Sequence, residues 1–99
     1  MSTHEKFYRI NANTLFNLAV RALGRMEGIS IIDKGMSQGY IEAERKKKGS
    51  GDLNLLMKFH PDGKNTRLYL KIKPRSFLNL FADTKTTVQE FFKELEKEI

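Results

Sequence analysis

The sequence predicts an α+β domain: a curved antiparallel sheet of about five strands, ordered β-α-β-β-β-β-α, with both helices on one face. Three observations predict it. Four segments between residues 29 and 73 alternate apolar and polar side chains, the pattern of strands with one buried face. Two segments, at 15–26 and 88–99, carry apolar residues at helical spacing. The strands follow one another through short Gly-bearing turns, which favours antiparallel neighbours. Ninety-nine residues fit a single domain over 1–99, and 39% hydrophobic with 30% charged residues is globular composition.

Glu5 to Ile10, with Phe7, Tyr8 and Ile10, reads as the first strand. Asn11 and Asn13 can each cap the helix that follows, because a short side-chain oxygen accepts from free N–H groups of the first turn. Leu15, Phe16, Ala19, Val20, Ala22, Leu23 and Met26 form its stripe, and the stripe's reach to Met26 favours Gly28 over Gly24 as its end. Ile29–Ile32 and Tyr40–Glu44 give strands two and three. The basic loop Lys46-Lys47-Lys48-Gly49-Ser50-Gly51 leads to strand four, Leu53 to His60. Pro61-Asp62-Gly63-Lys64 is a hairpin turn, and strand five runs from Arg67 to Lys73, stopped by Pro74. Residues 75–83 form an apolar connection. Thr87 and Glu90 have capping-box spacing, Asp83, Thr84 or Thr86 can cap earlier turns, and Val88, Phe91, Phe92, Leu95 and Ile99 make the stripe of a long closing helix.

A turn centred on Asp62-Gly63 pairs Pro61 with Lys64, and hence Met57 with Leu68, Leu55 with Leu70 and Leu53 with Ile72. On the other face it sets Lys58 against Arg67, Leu56 against Tyr69 and Asn54 against Lys71. Between strands three and four, Ala43 pairs with Leu55 and Ile41 with Met57, so Tyr40 lies beside Lys58 and Glu42 beside Leu56. Strand two brings Ile32 near Tyr40. The outer face is thereby expected to carry Ile32, Tyr40, Leu56 and Tyr69 among Lys58, Arg67, Lys71 and Lys73, with Lys58 and Arg67 repelling each other.

Net charge is +6, and residues 45–75 alone hold ten Lys and Arg against two Asp. A localised basic region attracts anionic partners. The chain has no Cys, which excludes a disulfide scaffold, a thiolate zinc site and a thiol nucleophile. His4 and His60 are its only histidines, and no nucleophile elbow or P-loop is present. No enzyme, metal or cofactor is expected. The N-terminus lacks an apolar signal segment and no apolar run approaches the roughly 20 residues of a membrane span, so a cytoplasmic protein is expected.

The function expected is a non-catalytic interaction module that binds a protein or a second copy of itself through the outer sheet face. The alternative is single-stranded nucleic acid or another anion, held by Tyr69 with Lys58, Arg67, Lys71 and Lys73 and by the loop Lys46, Lys47 and Lys48, since bases stack on rings while cations hold phosphates. A phosphoinositide-binding domain using the same loop ranks behind it.

Gly28-Ile29-Ser30-Ile31-Ile32-Asp33 and Gly39-Tyr40-Ile41-Glu42-Ala43 resemble a group of small bacterial TATA-binding-protein-like and helix-grip-like domains. These include many of unknown function and repeats of outer-membrane assembly lipoproteins. The resemblance spans roughly residues 5–73 and implies fold alone. The lipidated Cys of the lipoproteins and the paired Phe of the TATA-binding proteins have no counterpart here, so no functional residue is carried over.

Overall fold

Alternation decides the sheet. In a computed structural model, which describes residues 2–46, 51–75 and 84–99, five antiparallel strands follow the order β1-β5-β4-β3-β2. They are β1 (Ser2–Tyr8), β2 (Ile29–Gly35), β3 (Tyr40–Arg45), β4 (Leu53–Asp62) and β5 (Asn65–Pro74). Ile41 and Ala43 of β3, Leu53, Leu55, Met57 and Phe59 of β4, and Leu68, Leu70 and Ile72 of β5 are all buried on one face. The helices α1 (Ala12–Gly24) and α2 (Thr84–Glu96) cover that face and complete one core. The predicted fold class and element order stand. The basic loop residues Lys47 and Lys48 and most of the 75–83 connection lie outside the described residues.

The first strand starts and ends earlier than its aromatic residues suggest. It occupies Ser2–Tyr8, because Asn11 must leave the extended conformation free to cap α1. Asn11 has φ −67° and ψ 157°, and its Oδ1 accepts from the Thr14 N–H at 2.9 Å. Thr66 Oγ1, fully buried, donates to Ile10 O at 2.7 Å and pins this corner to β5.

α1 ends at Gly24, four residues before the predicted Gly28. Arg25 N–H donates to Ala22 O and Met26 N–H to Leu23 O, each at 3.1 Å, so the last turn tightens to i→i+3 spacing. That tightening keeps Met26 buried beyond the helix end, which is why the apolar stripe outruns the helix. Gly28 has another task. At φ +79° it enters β2, where a Cβ would lie 2.2 Å from Lys46 O, and its own carbonyl accepts from Lys46 N–H at 2.9 Å. Only glycine tolerates both the backbone sign and the approach.

The β3–β4 register is the expected one: Tyr40↔Lys58, Ile41↔Met57, Glu42↔Leu56, Ala43↔Leu55. The β4–β5 register differs from expectation by two residues. Asp62 pairs with Asn65, so the turn's central residues are Gly63-Lys64, and Met57 pairs with Leu70, Leu55 with Ile72, Lys58 with Tyr69 and Leu56 with Lys71. Gly63, at the first central position, has φ +65°, and no other residue of the turn needs a positive φ. That suits a hairpin turn with glycine first. A shift of two preserves which face each side chain takes, so apolar alternation fits both registers and the turn chooses between them.

β2 carries a bulge: Ile31 pairs with Ala43 and Asp33 with Glu42, leaving Ile32 unpaired. In α2, Val88, Phe91, Phe92 and Leu95 are buried as predicted, whereas Ile99 lies past the helix and is exposed. Thr87 is no cap. It sits inside α2, buried, where its hydroxyl accepts from Arg45 Nη1 at 3.1 Å. Glu90, its expected capping-box partner, instead pairs with Arg45 Nη1 at 2.9 Å. Arg45 is only 3% exposed and also donates through Nε to Glu27 O at 3.0 Å, so it ties β3 to α2 and to the α1–β2 turn.

Candidate functional site: a polarised sheet face and an edge groove

The face of the sheet turned away from the helices forms a grid set by the strand registers. One row runs Gly35, Tyr40, Lys58, Tyr69, Glu5 from β2 through β3, β4 and β5 to β1. The next runs Asp33, Glu42, Leu56, Lys71, Thr3. Of the predicted outer-face residues, Tyr40, Leu56, Lys58, Arg67, Tyr69, Lys71 and Lys73 therefore share this face. Tyr40, Leu56 and Tyr69 are partly covered and the four cations are exposed.

Ile32 does not join them as expected. It is 52% exposed, but the bulge gives the place beside Tyr40 to Gly35 and lets Asp33 reach the tyrosine. Tyr40 Oη donates to Asp33 Oδ2 at 2.7 Å, and this hydrogen bond, with partial desolvation, raises the phenol above its ordinary range. Lys58 and Arg67 are not the facing pair expected: Lys58 opposes Tyr69 and Arg67 opposes His60, which leaves the two cations diagonal to each other. Arg67 instead pairs with Glu5 at 3.1 Å and lies 5.8 Å from the centre of the Phe7 ring. Glu5 also raises the Tyr69 phenol by hydrogen bonding, and His60 packs edge-on against Tyr69 at 5.0 Å. Lys46 is exposed and 3.9 Å from Glu44, which also holds Arg75. A shallow depression of about 150 Å³ surrounds Leu56, lined by Glu42, Asn54, Leu56, Lys71 and Lys73.

The second feature is a space between the last helix and the sheet, a place where the sequence allows an apolar-ligand cavity but, at 99 residues, little room for one, and whose residues it does not single out. β1 is an edge strand, and between it and α2 runs a groove of about 560 Å³, lined by His4, Lys6, Val88, Gln89, Phe92, Lys93 and Glu96 among others. A neighbouring hollow of about 340 Å³ shares His4, Val88 and Gln89 and extends the groove toward Ser2 and Lys85. His4 points to the helix side, since it pairs with inward Leu70. Its Nε2 is buried and has no hydrogen-bond partner among the described residues. At the other end Lys6 Nζ pairs with Glu96 at 3.0 Å and sits 4.6 Å above the Phe92 ring, while Tyr8 Oη donates to the same carboxylate at 2.8 Å. Those hydrogen bonds hold the Glu96 carboxyl below its usual range. Lys85 and Lys93 form no ion pair among the described residues. The sequence signal was the even-numbered parity of His4, but the strand order that sets it beside α2 is not a local pattern.

No protein-family model matches the chain, and no curated protein matches it. Among solved structures the chain is similar to the di-domain ARO/CYC StfQ from the steffimycin biosynthetic pathway, with TM-score 0.67 and 13% identity over 98% of this chain and 42% of that one. It is similar to Ara h 8.0201, with TM-score 0.65 and 9% identity over 98% of this chain and 94% of that one. It is also similar to CalU16 from Micromonospora echinospora, with TM-score 0.59 and 13% identity over 96% of this chain and 83% of that one. The chain thus spans less than half the length of the StfQ chain. At such identities the likeness is one of fold: a helix-grip-like α+β domain with a C-terminal helix across a curved antiparallel sheet. The TATA-binding-protein side of the sequence resemblance gains no support from these neighbours. No described helix is long and apolar enough to cross a membrane.

Proposed function

We propose that the chain is a non-catalytic binding module whose groove between β1 and α2 takes a small amphiphile. The observation that carries this reading is His4 Nε2, buried at the groove and without a partner among the described residues. A buried polar nitrogen left unpaired costs roughly 1–3 kcal/mol, and turning the imidazole toward the groove would let a ligand hydrogen-bonding group recover it. Val88 and Phe92 offer an apolar wall, and Lys93 offers a cation with no ion pair among the described residues. The volume lies within the range of small-molecule sites, about 300–1,000 Å³. Fold likeness to StfQ and Ara h 8.0201 is compatible with a helix-and-sheet module of this kind but names no ligand.

Titration of ¹⁵N-labelled protein with laurate below its micelle concentration tests the reading. Amide shifts concentrated at His4, Val88, Gln89, Phe92 and Lys93, weakened in His4→Phe, are the expected result. No shifts at millimolar laurate and at millimolar neutral monolaurin would reject the groove as a ligand site.

A second reading, partner binding through the outer sheet face, is favoured by one observation: Lys58, Lys71 and Lys73 converge around Leu56 and form no ion pair among the described residues. A protein, a second copy, or an anion such as single-stranded nucleic acid would each answer to that surface. Binding to single-stranded oligonucleotides at low salt, where the electrostatic contribution is greatest, separates the last from the others.

A further inference from the structure

The outer face is not uniformly basic. β2 and β3 present Asp33, Glu42 and Glu44, whereas β4 and β5 present Lys58, Arg67, Lys71 and Lys73. Several of these charges are already answered: Asp33 by Tyr40, Glu44 by Arg75, Arg67 by Glu5. Glu42, Lys58, Lys71 and Lys73 form no ion pair among the described residues. What remains is Glu42 on the β3 side of Leu56 and Lys71 and Lys73 on its β5 side, with Lys58 on the dividing strand β4 itself. A nucleic-acid track would need one sign of charge across its path. A face with both signs, side by side, fits its own copy.

Resting on the outer-face reading above, we propose that this face is an isologous contact with a second copy of this chain, its two-fold axis parallel to the strands and passing over Leu56 of β4. Charge selects the axis. Two stacked sheets related by a two-fold lying across the strands would set acidic half on acidic half. A two-fold along the strands exchanges the halves, so β3 of one copy lies over β5 of the other. With the axis over β4, the registers place Leu56 against its own copy, Glu42 against the partner's Lys71, and Tyr40 against the partner's Tyr69. Stacked sheets sit about 10 Å apart with strands within about 30° of alignment, a gap that Glu and Lys side chains span. Five strands, about 4.8 Å apart and contributing about five residues each, give a footprint of roughly 400 Å² per copy. That is below the standard interface, so the dimer is weak and forms at high concentration. The contact is independent of the β1–α2 groove.

The geometry makes an unusual demand on Lys58. Every outward-facing β4 residue meets its own copy across this axis, so Lys58 meets the partner's Lys58. Sedimentation equilibrium of the full chain from 5 μM to 1 mM, at low and high salt, reads the consequences, with circular dichroism confirming that each variant is folded. Expected are a monomer–dimer equilibrium weakened by salt, loss of dimer in Glu42→Lys and in Lys71→Glu, and its return in the double variant. Lys58→Gln should tighten association about threefold at low salt by removing the like-charge contact. A wild type that stays monomeric at 1 mM overturns the proposal. So does a folded double variant that fails to recover, or a Lys58→Gln that weakens association. Binding of a (dT)₂₀ oligonucleotide by a strictly monomeric protein, lost in Lys58→Gln, would replace it with a nucleic-acid face.

Discussion

Replacing Glu90 with Gln should destabilise the fold by about 2 kcal/mol, although it removes no atom from the core. The guanidinium of Arg45 has three acceptors: Glu27 O at 3.0 Å, Thr87 Oγ1 at 3.1 Å and Glu90 Oε1 at 2.9 Å. Two are neutral, and Glu90 alone carries opposite charge. The Arg45 side chain is 4% exposed and that of Glu90 is 32% exposed. Removing one partner of a fully buried pair costs about 3–5 kcal/mol, because the remaining charge is stranded. Solvent reaches Glu90, so the cost falls below that range, to about 2 kcal/mol. For a chain of this size that lowers the melting midpoint by roughly 8–16 °C. Urea titration of wild type, Glu90→Gln, Arg45→Met and the double variant measures the coupling, which should reach about 1.5 kcal/mol. The exposed pair Arg67–Glu5, with side chains 51% and 46% exposed, is the control and should show a coupling of about 0.5 kcal/mol or less. Equal coupling in the two pairs would refute the claim that burial of Arg45 makes α2 depend on Glu90.

Two further outcomes follow from the same structure. Gly28→Ala should cost about 3 kcal/mol, from the left-handed backbone, the 2.2 Å approach to Lys46 O and the displacement of the Lys46–Gly28 hydrogen bond that relieving it requires. Gly63→Ala, with φ +65° but no atom within 4 Å of its Cβ, should cost about 1 kcal/mol, and equal losses in thermal melts would contradict the close approach at Gly28. The Tyr8–Glu96 bond should shape both arms of the stability–pH curve. Glu96 has a lowered folded value, so its contribution is present above the unfolded carboxyl range near pH ~4.3 and lost as pH falls through the folded value. Tyr8 has a raised one, chiefly from burial and then from Glu96, so its contribution is present below the unfolded phenol value of about 10 and lost as pH rises beyond it. Tyr8→Phe should remove about 1 kcal/mol at neutral pH and flatten both arms in urea unfolding, and unchanged slopes would exclude the assignment.

The elements and the outer face were legible in the sequence because both rest on local periods. Alternation alone placed Tyr40, Leu56, Lys58, Tyr69, Lys71 and Lys73 on one side, and a register error of two residues could not move them. The same two-residue offset changes their neighbours, so a turn centred on Asp62-Gly63 predicts a facing Lys58–Arg67 pair where Tyr69 and His60 are the true partners. Ile32 failed for a different reason: the β2 bulge inserts a residue where alternation assumes none. Arg45 was within reach, since it follows Ile41 and Ala43 at the same parity, but a cation at an inward position is read as the end of a strand until a partner is known. That partner, Glu90, lies on a helix 45 residues away in sequence.

The groove shows where the reasoning from periods stops. His4, Val88 and Phe92 each have an ordinary local explanation, an edge-strand histidine and two residues of an apolar stripe. They become one site only because β1 closes on β5 rather than on β2, which sets residues 2–8 beside α2. Pairing of β1 with β5 brings together segments about sixty residues apart, and nothing in either segment announces the other. The polarity of the outer face is likewise a property of strand order. Asp33, Glu42 and Glu44 become one acidic side because β2 and β3 are adjacent, and the lysines become the other because β4 and β5 are. Shuffling the same strands in the sheet would interleave the charges and leave the face without a preferred partner. The order β1-β5-β4-β3-β2 is therefore the single structural fact on which both candidate surfaces depend.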